Sequence, residues 1–301
     1  MGELIAHFAN CPILGEEYSE SGGHRRLDTI NIEHAGFHFR LVQQPDSLGF
    51  NAAHRDQFHH TTEVYVREVT EDNLSAVQNL LHELSWLLSL AAYSDVVYFG
   101  YAFQHGTTLG QSWSVSGRLR HFRPMIETRD GTAVRNYLES VWPAFTALCQ
   151  TRKLNIIVHY ILLADKPEQP LEAGLIFSFV ALESLKSTFA VAQGIPFVKR
   201  CFRKISSPPK PRLRDEPCYS FEELLEEMFA AVGMYNAAIN PIVQLRNEII
   251  HNGISQQTHA ANRHVYNACQ DLLREYLLRL LGYNGSFWFY AHPNGPPGKV
   301  P

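Results

Sequence analysis

The chain has 301 residues, of which 45% are hydrophobic and 19% charged, with a formal net charge of −4. That is the balance of a globular protein long enough for two domains with cores of their own. It excludes a global field that would attract nucleic acid, so any grip on RNA must be local.

Residues 1–130 read as a strand-rich mixed α/β domain. Strand signals, either period-two alternation or β-branched and aromatic enrichment, appear at 27–42, 62–69, 95–103 and 112–122. One helix interrupts them. Thr70 is placed to cap it, Glu71 and Asp72 to occupy its first turn, and Val77, Leu80, Leu81, Leu84, Leu87 and Leu88 recur at helical spacing. Gly106, Gly110 and Asp130-Gly131 mark turns, and the domain boundary is expected near 131. The role expected of this domain is sensing, targeting or regulation.

From 132 the period becomes helical. Segments at about 134–164, 171–192, 221–251 (broken at Asn240-Pro241) and 258–282 predict an all-α bundle over 131–290. The fold class expected is therefore α+β, a strand-rich domain followed by a helical bundle. The tail opens aromatic, suited to docking on the bundle or a partner, and 291–301, rich in Pro and Gly, is expected to be mobile. An insertion at 193–220 holds Lys199, Arg200, Arg203, Lys204, Lys210, Arg212 and Arg214, with no acid before Asp215. Pro208, Pro209 and Pro211 favour an extended middle. These seven cations are candidate RNA-binding residues, an arm that tracks phosphates; the competing reading is a solvated loop.

The five cysteines, Cys11, Cys149, Cys201, Cys218 and Cys269, are scattered, odd in number and never spaced Cys-x-x-Cys. This argues against a disulfide framework or zinc knuckle and fits a reducing cytosol. No signal peptide is visible. The longest apolar run, near Leu84–Tyr93, is too short to span a bilayer, and Ala6 stands where a myristoylation signal needs Ser or Thr. A cytoplasmic location without a membrane partner is expected.

The most informative segment is RNEIIHNG, Arg246 to Gly253. Asn240 can cap its helix, Pro241 suits the first helical position, and Asn252-Gly253 can end it in a left-handed turn. On a helical wheel Ile242, Val243, Leu245, Ile249 and Ile250 form a broad apolar arc with Arg246 inside it, while Asn247 and His251 share a face at its edge. A guanidinium on an apolar face needs an anion, whether a protein carboxylate or a phosphate. Glu183, amid apolar neighbours on 171–192, is the candidate partner. Arg55 with His60 and Arg152 with His159 show similar spacings without the Asn and the helix punctuation.

This octapeptide resembles the signature of the HEPN superfamily, an Arg followed by a polar residue and then a His four to six residues on, near the start of a late helix. The helix FSFVALESLKSTFA (177–190) resembles the acidic helix of the ApeA-like HEPN branch, and the similarity covers about 135–285. The resemblance implies a metal-independent endoribonuclease of a prokaryotic defence or toxin system, or a relative that has lost catalysis and only binds RNA, a nucleotide or a protein. In the catalytic reading His251 is the general acid-base on a ribose 2′-OH or the leaving 5′ oxygen. Arg246 stabilises the phosphorane, and Asn247 orients the imidazole or the phosphate. Products would be a 2′,3′-cyclic phosphate and a 5′-OH. A homodimer joining two motifs is implied, as is a protein regulator or antitoxin.

No metal and no cofactor is expected. The run HRDQFHH offers His54, Asp56, His59 and His60 as ligands, but the spacing matches no strong metal motif, and a polar loop explains it more simply. His24, Arg25 and Arg26 could touch phosphate, and a Gly-flanked loop explains them equally.

Overall fold

A computed structural model describes every residue except 1, 12, 22–23, 45–58, 105, 110–122, 167, 236, 293–294 and 301, and omits the side chains of 19–21, 24–25 and 107–109. The architecture is α+β, in two compact units: 1–146 with 281–301, and 147–280. The division falls inside a helix, about fifteen residues beyond the turn signal at 131, because that helix buries its first turns in the sheet domain's core.

The first unit is built on one antiparallel sheet. Its strands are β1 (Gly2–Ala9), β2 (Glu17–Ser21), β3 (His24–His34), β4 (Phe37–Gln43), β5 (His60–Val69), β6 (Val97–Phe103) and β7 (Gly106–Leu109). They run in the order β2-β3-β4-β5-β1-β6-β7. The run 27–42 is a hairpin, since Ala35 and Gly36 both take positive φ (52° and 79°), the mirror-image turn that matches strand twist. The segment 112–122 lies outside the described residues.

Period-two alternation decides the two faces. Leu4, Ala6, Phe8, Phe39, Leu41, Val64 and Val66 are fully buried on one. Their strand neighbours His7, Arg40, Glu63 and Tyr65 take the other. Helix α1 (Leu74–Ala92) supplies Leu81, Leu84, Leu87 and Leu88 to the same core, each worth roughly 1.5–3 kcal/mol of burial. It starts later than expected. Asn73, not Thr70, holds the cap position, and the two residues close a reciprocal turn just before it: Thr70 N–H donates to Asn73 Oδ1 at 2.8 Å and Asn73 N–H to Thr70 Oγ1 at 3.3 Å.

The described part of the tail packs on the first unit. Short strands β10 (Ser286–Phe287) and β11 (Gly298–Lys299) pair, Phe287, Tyr290 and Val300 are buried, and Trp288 N–H donates to the Met125 carbonyl at 2.7 Å. The tail thus completes the first unit, not the bundle.

The second unit holds the end of α2 (Gly131–Arg152), then α3 (Leu154–Ala164), α4 (Leu171–Ala192), α5 (Phe221–Ala230), α6 (Asn240–Asn252) and α7 (His259–Leu280). The expected single helix over 134–164 is two, because Lys153 takes a left-handed conformation at φ 53°. Helix α4 packs against α3, α5, α6 and α7. Among the described residues it is the one helix long and apolar enough to cross a membrane, and its apolar length is explained by this central place. At Gly174 an added Cβ would lie 2.7 Å from the Ala164 carbonyl oxygen, so α3 and α4 need glycine there. Gln270, fully buried on α7, donates to Ser178 Oγ at 2.8 Å.

The insertion is pinned at its base. Strands β8 (Phe197–Val198) and β9 (Cys201–Phe202) form a tight hairpin whose turn residues, Lys199 and Arg200, both have positive φ. Cys201 and Cys218 form a disulfide. The cysteine pattern argued against a disulfide framework, and this one bridge departs from that expectation. Backbone bonds from Lys204 N–H to Pro217 O and from Tyr219 N–H to Phe202 O, both 2.9 Å, bring together segments that no local sequence spacing pairs.

Candidate functional site

Helix α6 carries the Arg246–His251 motif. Asn240 is its first residue, not its cap, which is Ile239; Pro241 lies in the first turn as expected. Gly253, left-handed at φ 77°, ends it and donates to the Ile249 carbonyl at 2.8 Å. Ile242, Leu245 and Ile249 are buried, whereas Ile250 is 52% exposed, so the apolar arc is narrower than the wheel suggested.

Arg246 lies in that arc with a side chain 25% exposed. Three groups hold it. Its guanidinium is 3.6 Å from Glu183 Oε2, sits 4.7 Å above the centre of the Phe221 ring, and donates to Asn247 Oδ1 at 3.0 Å. Glu183 also pairs with the nearly buried Lys186, whose ammonium lies 5.0 Å from the same ring. Two cations thus share one carboxylate and one aromatic ring. The sequence placed Glu183 amid apolar neighbours, and its side chain is 42% exposed. Its Oε2 atom is nevertheless shielded from solvent and takes no hydrogen bond. A separation of 3.6 Å is an ionic contact and not a hydrogen bond. The Arg246 fork is therefore attracted to Glu183 without being locked onto it, and can turn toward another anion.

His251 is exposed in the last turn of α6. Among the described residues none bonds its ring. Asn247 turns to Arg246, so its expected role of orienting the imidazole is not taken up here. Five residues of helix separate Arg246 and His251 by roughly 7.5 Å of rise and about 140° of rotation. Within one chain the two flank the helix.

The structure brings the base of the insertion to this site. Phe221 opens α5 behind a Ser220–Glu223 capping box, and Lys204 pairs with Glu223. That pair, with bonds from Ser220, holds the Glu223 carboxyl down to about 2. Of the seven candidate RNA-binding cations, two are internal struts. Arg203 donates to the carbonyls of Val198 and Glu216, and Lys204 is tied to Glu223. Lys199, Arg200, Lys210, Arg212 and Arg214 are exposed, Arg214 lying 3.8 Å from Asp215. Glu216, with its carboxyl held below the usual range by Ser206 and the Lys210 N–H, fastens the proline-rich middle.

Lys186 and Phe221 were missed in the sequence. Lys186 could have been found, since it follows Glu183 at i+3; Phe221 is brought in only by tertiary packing. Of the rival spacings, Arg152 has a structural place. Arg152 is buried and donates to the Tyr276 hydroxyl at 2.8 Å and the Leu185 carbonyl at 3.3 Å. His60 stands on β5, in the first unit. His54, Arg55 and Asp56 lie outside the described residues, as do the side chains of His24 and Arg25; Arg26 is on β3.

Residues 150–290 match the family model of the YopA C-terminal domain. The match begins at the end of α2 and takes in α3 to α7 and the insertion. No curated protein and no solved structure matches the chain.

Proposed function

We propose that the helical unit is a HEPN-type endoribonuclease that cleaves RNA without a metal, through 2′-OH attack to a 2′,3′-cyclic phosphate. One observation carries this reading: α6 presents an exposed imidazole, His251, and a partly exposed guanidinium, Arg246, that is steered by Glu183 but not locked to it. His251 moves the proton of the 2′-OH or of the leaving oxygen. Arg246 swings from Glu183 to the phosphorane, where its fork offers two donors to developing charge. Asn247, on the His251 face, is a further donor to phosphate.

Because the two groups flank the helix within one chain, in-line cleavage calls for a second copy. A homodimer in which each α6 faces its partner supplies His251 from one protomer and Arg246 from the other. The exposed cations of the insertion hold the RNA backbone beside this cleft. A cytoplasmic defence or toxin-type role, with a regulator or antitoxin as partner, belongs to the same proposal.

The second reading is a binding module without catalysis, favoured by the engagement of Arg246 with Glu183, Phe221 and Asn247. One assay separates the two. RNA and DNA of the same sequence are incubated in EDTA with wild type, Arg246→Ala and His251→Ala. The proposal expects cleavage of RNA alone, lost in both variants. Binding without cleavage supports the second reading, and cleavage surviving both substitutions overturns the mechanism.

A further inference from the structure

The outer face of the sheet brings together three side chains that lie far apart in sequence. His7 on β1 and Glu63 on β5 are direct cross-strand partners, with His7 Nδ1 3.8 Å from Glu63 Oε1. Beyond them the register slips, so that Ala9 faces His60. Such a bulge re-aims side chains. It turns His60 toward the Glu63 face, its ring centroid 5.2 Å from that of His7. One donor atom from each of the three lies within 4.8 Å of the others.

We infer that His7, His60 and Glu63 bind a divalent transition-metal ion of the zinc type. Two imidazoles and one carboxylate are a borderline donor set suited to such an ion. Tetrahedral bonds of about 2.1 Å place donors ~3.4 Å apart, so a shift of up to about 1.4 Å by exposed His60, with a small approach of His7 and Glu63, closes the set. His7 Nδ1 is shielded from water and has no hydrogen-bond partner, leaving its lone pair to be used by something else. The supporting shell is also present. The Tyr65 hydroxyl donates to Glu63 Oε2 at 2.7 Å, which leaves Oε1 turned to His7, and Arg40 lies 4.6 Å over the Tyr65 ring. Phe99 forms an apolar floor, 5.9 Å from the His7 ring and 5.3 Å from that of His60. Three protein ligands leave a position open to water, and the ion would tie β1 to β5 at the centre of the sheet.

This inference is independent of the ribonuclease reading. The test is titration of the metal-stripped full chain with Zn²⁺ against a chromogenic chelator, and with Co²⁺ followed by its visible d–d absorption. Wild type is compared with His60→Ala, Glu63→Gln and Tyr65→Phe, with folding checked by circular dichroism. The expectation is one tight equivalent in wild type and a Co²⁺ band of low-coordinate form. Affinity falls at least a hundredfold on losing a ligand and about tenfold in Tyr65→Phe. Uptake by folded His60→Ala/Glu63→Gln equal to that of wild type overturns the inference, as does a folded wild type that takes up no Zn²⁺ at micromolar concentration.

Discussion

At the residue scale the proposed chemistry turns on how Arg246 is held. A partly exposed ion pair held at 3.6 Å, such as Glu183–Arg246, is worth on the order of 1 kcal/mol, so its work is steering more than stability. The Phe221 ring adds a cation–π contact that a flexible ammonium would use less well than a planar guanidinium. Arg246→Lys should therefore fold normally and lose roughly 100-fold in RNA cleavage, the usual cost of removing one positioned donor from a transition state. Phe221→Leu, which keeps the volume but not the π face, should lower cleavage less than Arg246→Lys while leaving the unfolding midpoint within about 1 °C. Rates and melting curves of the two variants check both statements. A second titratable contact lies nearby. Glu223 is held down to about 2 from an ordinary 4.5 by Lys204 and the Ser220 cap. A depressed carboxylate stabilises the fold above its ordinary value, and the contribution is lost as pH falls through the folded value. The insertion should accordingly loosen from α5 between about pH 4.5 and 2, seen as increased protease nicking within 199–216, and Glu223→Gln should remove that step.

At the element scale, helices were the most legible part of the chain. α4 was placed at 171–192 from its apolar period and its preceding Pro170, because a central helix has few competing signals. The α2–α3 break was not legible, since Lys153 carries no turn signature and adopts its left-handed φ under tertiary constraint. β1 was overlooked even though Leu4, Ala6 and Phe8 alternate properly. Ala6 weakens the β-branched and aromatic signal, and the strand's importance comes from partners at 60–69 and 97–103 that only the folded sheet reveals. The internal pairing of the insertion was not legible for the same reason. Its prolines and cations suggested an open arm, while the pairing of Cys201 with Cys218 is a long-range fact. A closed loop of this size constrains the unfolded chain by up to ~3 kcal/mol. Reduction by dithiothreitol, or Cys201→Ser/Cys218→Ser, should expose the insertion to proteolysis while the far-ultraviolet circular dichroism of the bundle is retained. Gly174→Ala presses a methyl against the Ala164 carbonyl and should cost about 1–3 kcal/mol, measured by urea unfolding.

At the scale of the whole molecule, the sequence already contained the α+β division, the late position of the motif helix and its pairing with the α4 acid. It could not contain the surface on which two copies meet. On the proposed mechanism the flanking placement of Arg246 and His251 calls for a dimer, and sedimentation should show twice the chain mass at the concentrations where RNA is cleaved. On this proposal the helical unit cleaves RNA, and the His7, His60 and Glu63 face of the sheet domain is the inferred site of a separate ligand, the metal ion. The most direct test of the central claim is the chemistry of the cut ends. In chelator, a single RNA should yield a 2′,3′-cyclic phosphate and a 5′-OH, and the same strand with a 2′-O-methyl group at the cut site should stay intact. A 3′-OH with a 5′-phosphate, or cleavage of the methylated strand, would contradict the account.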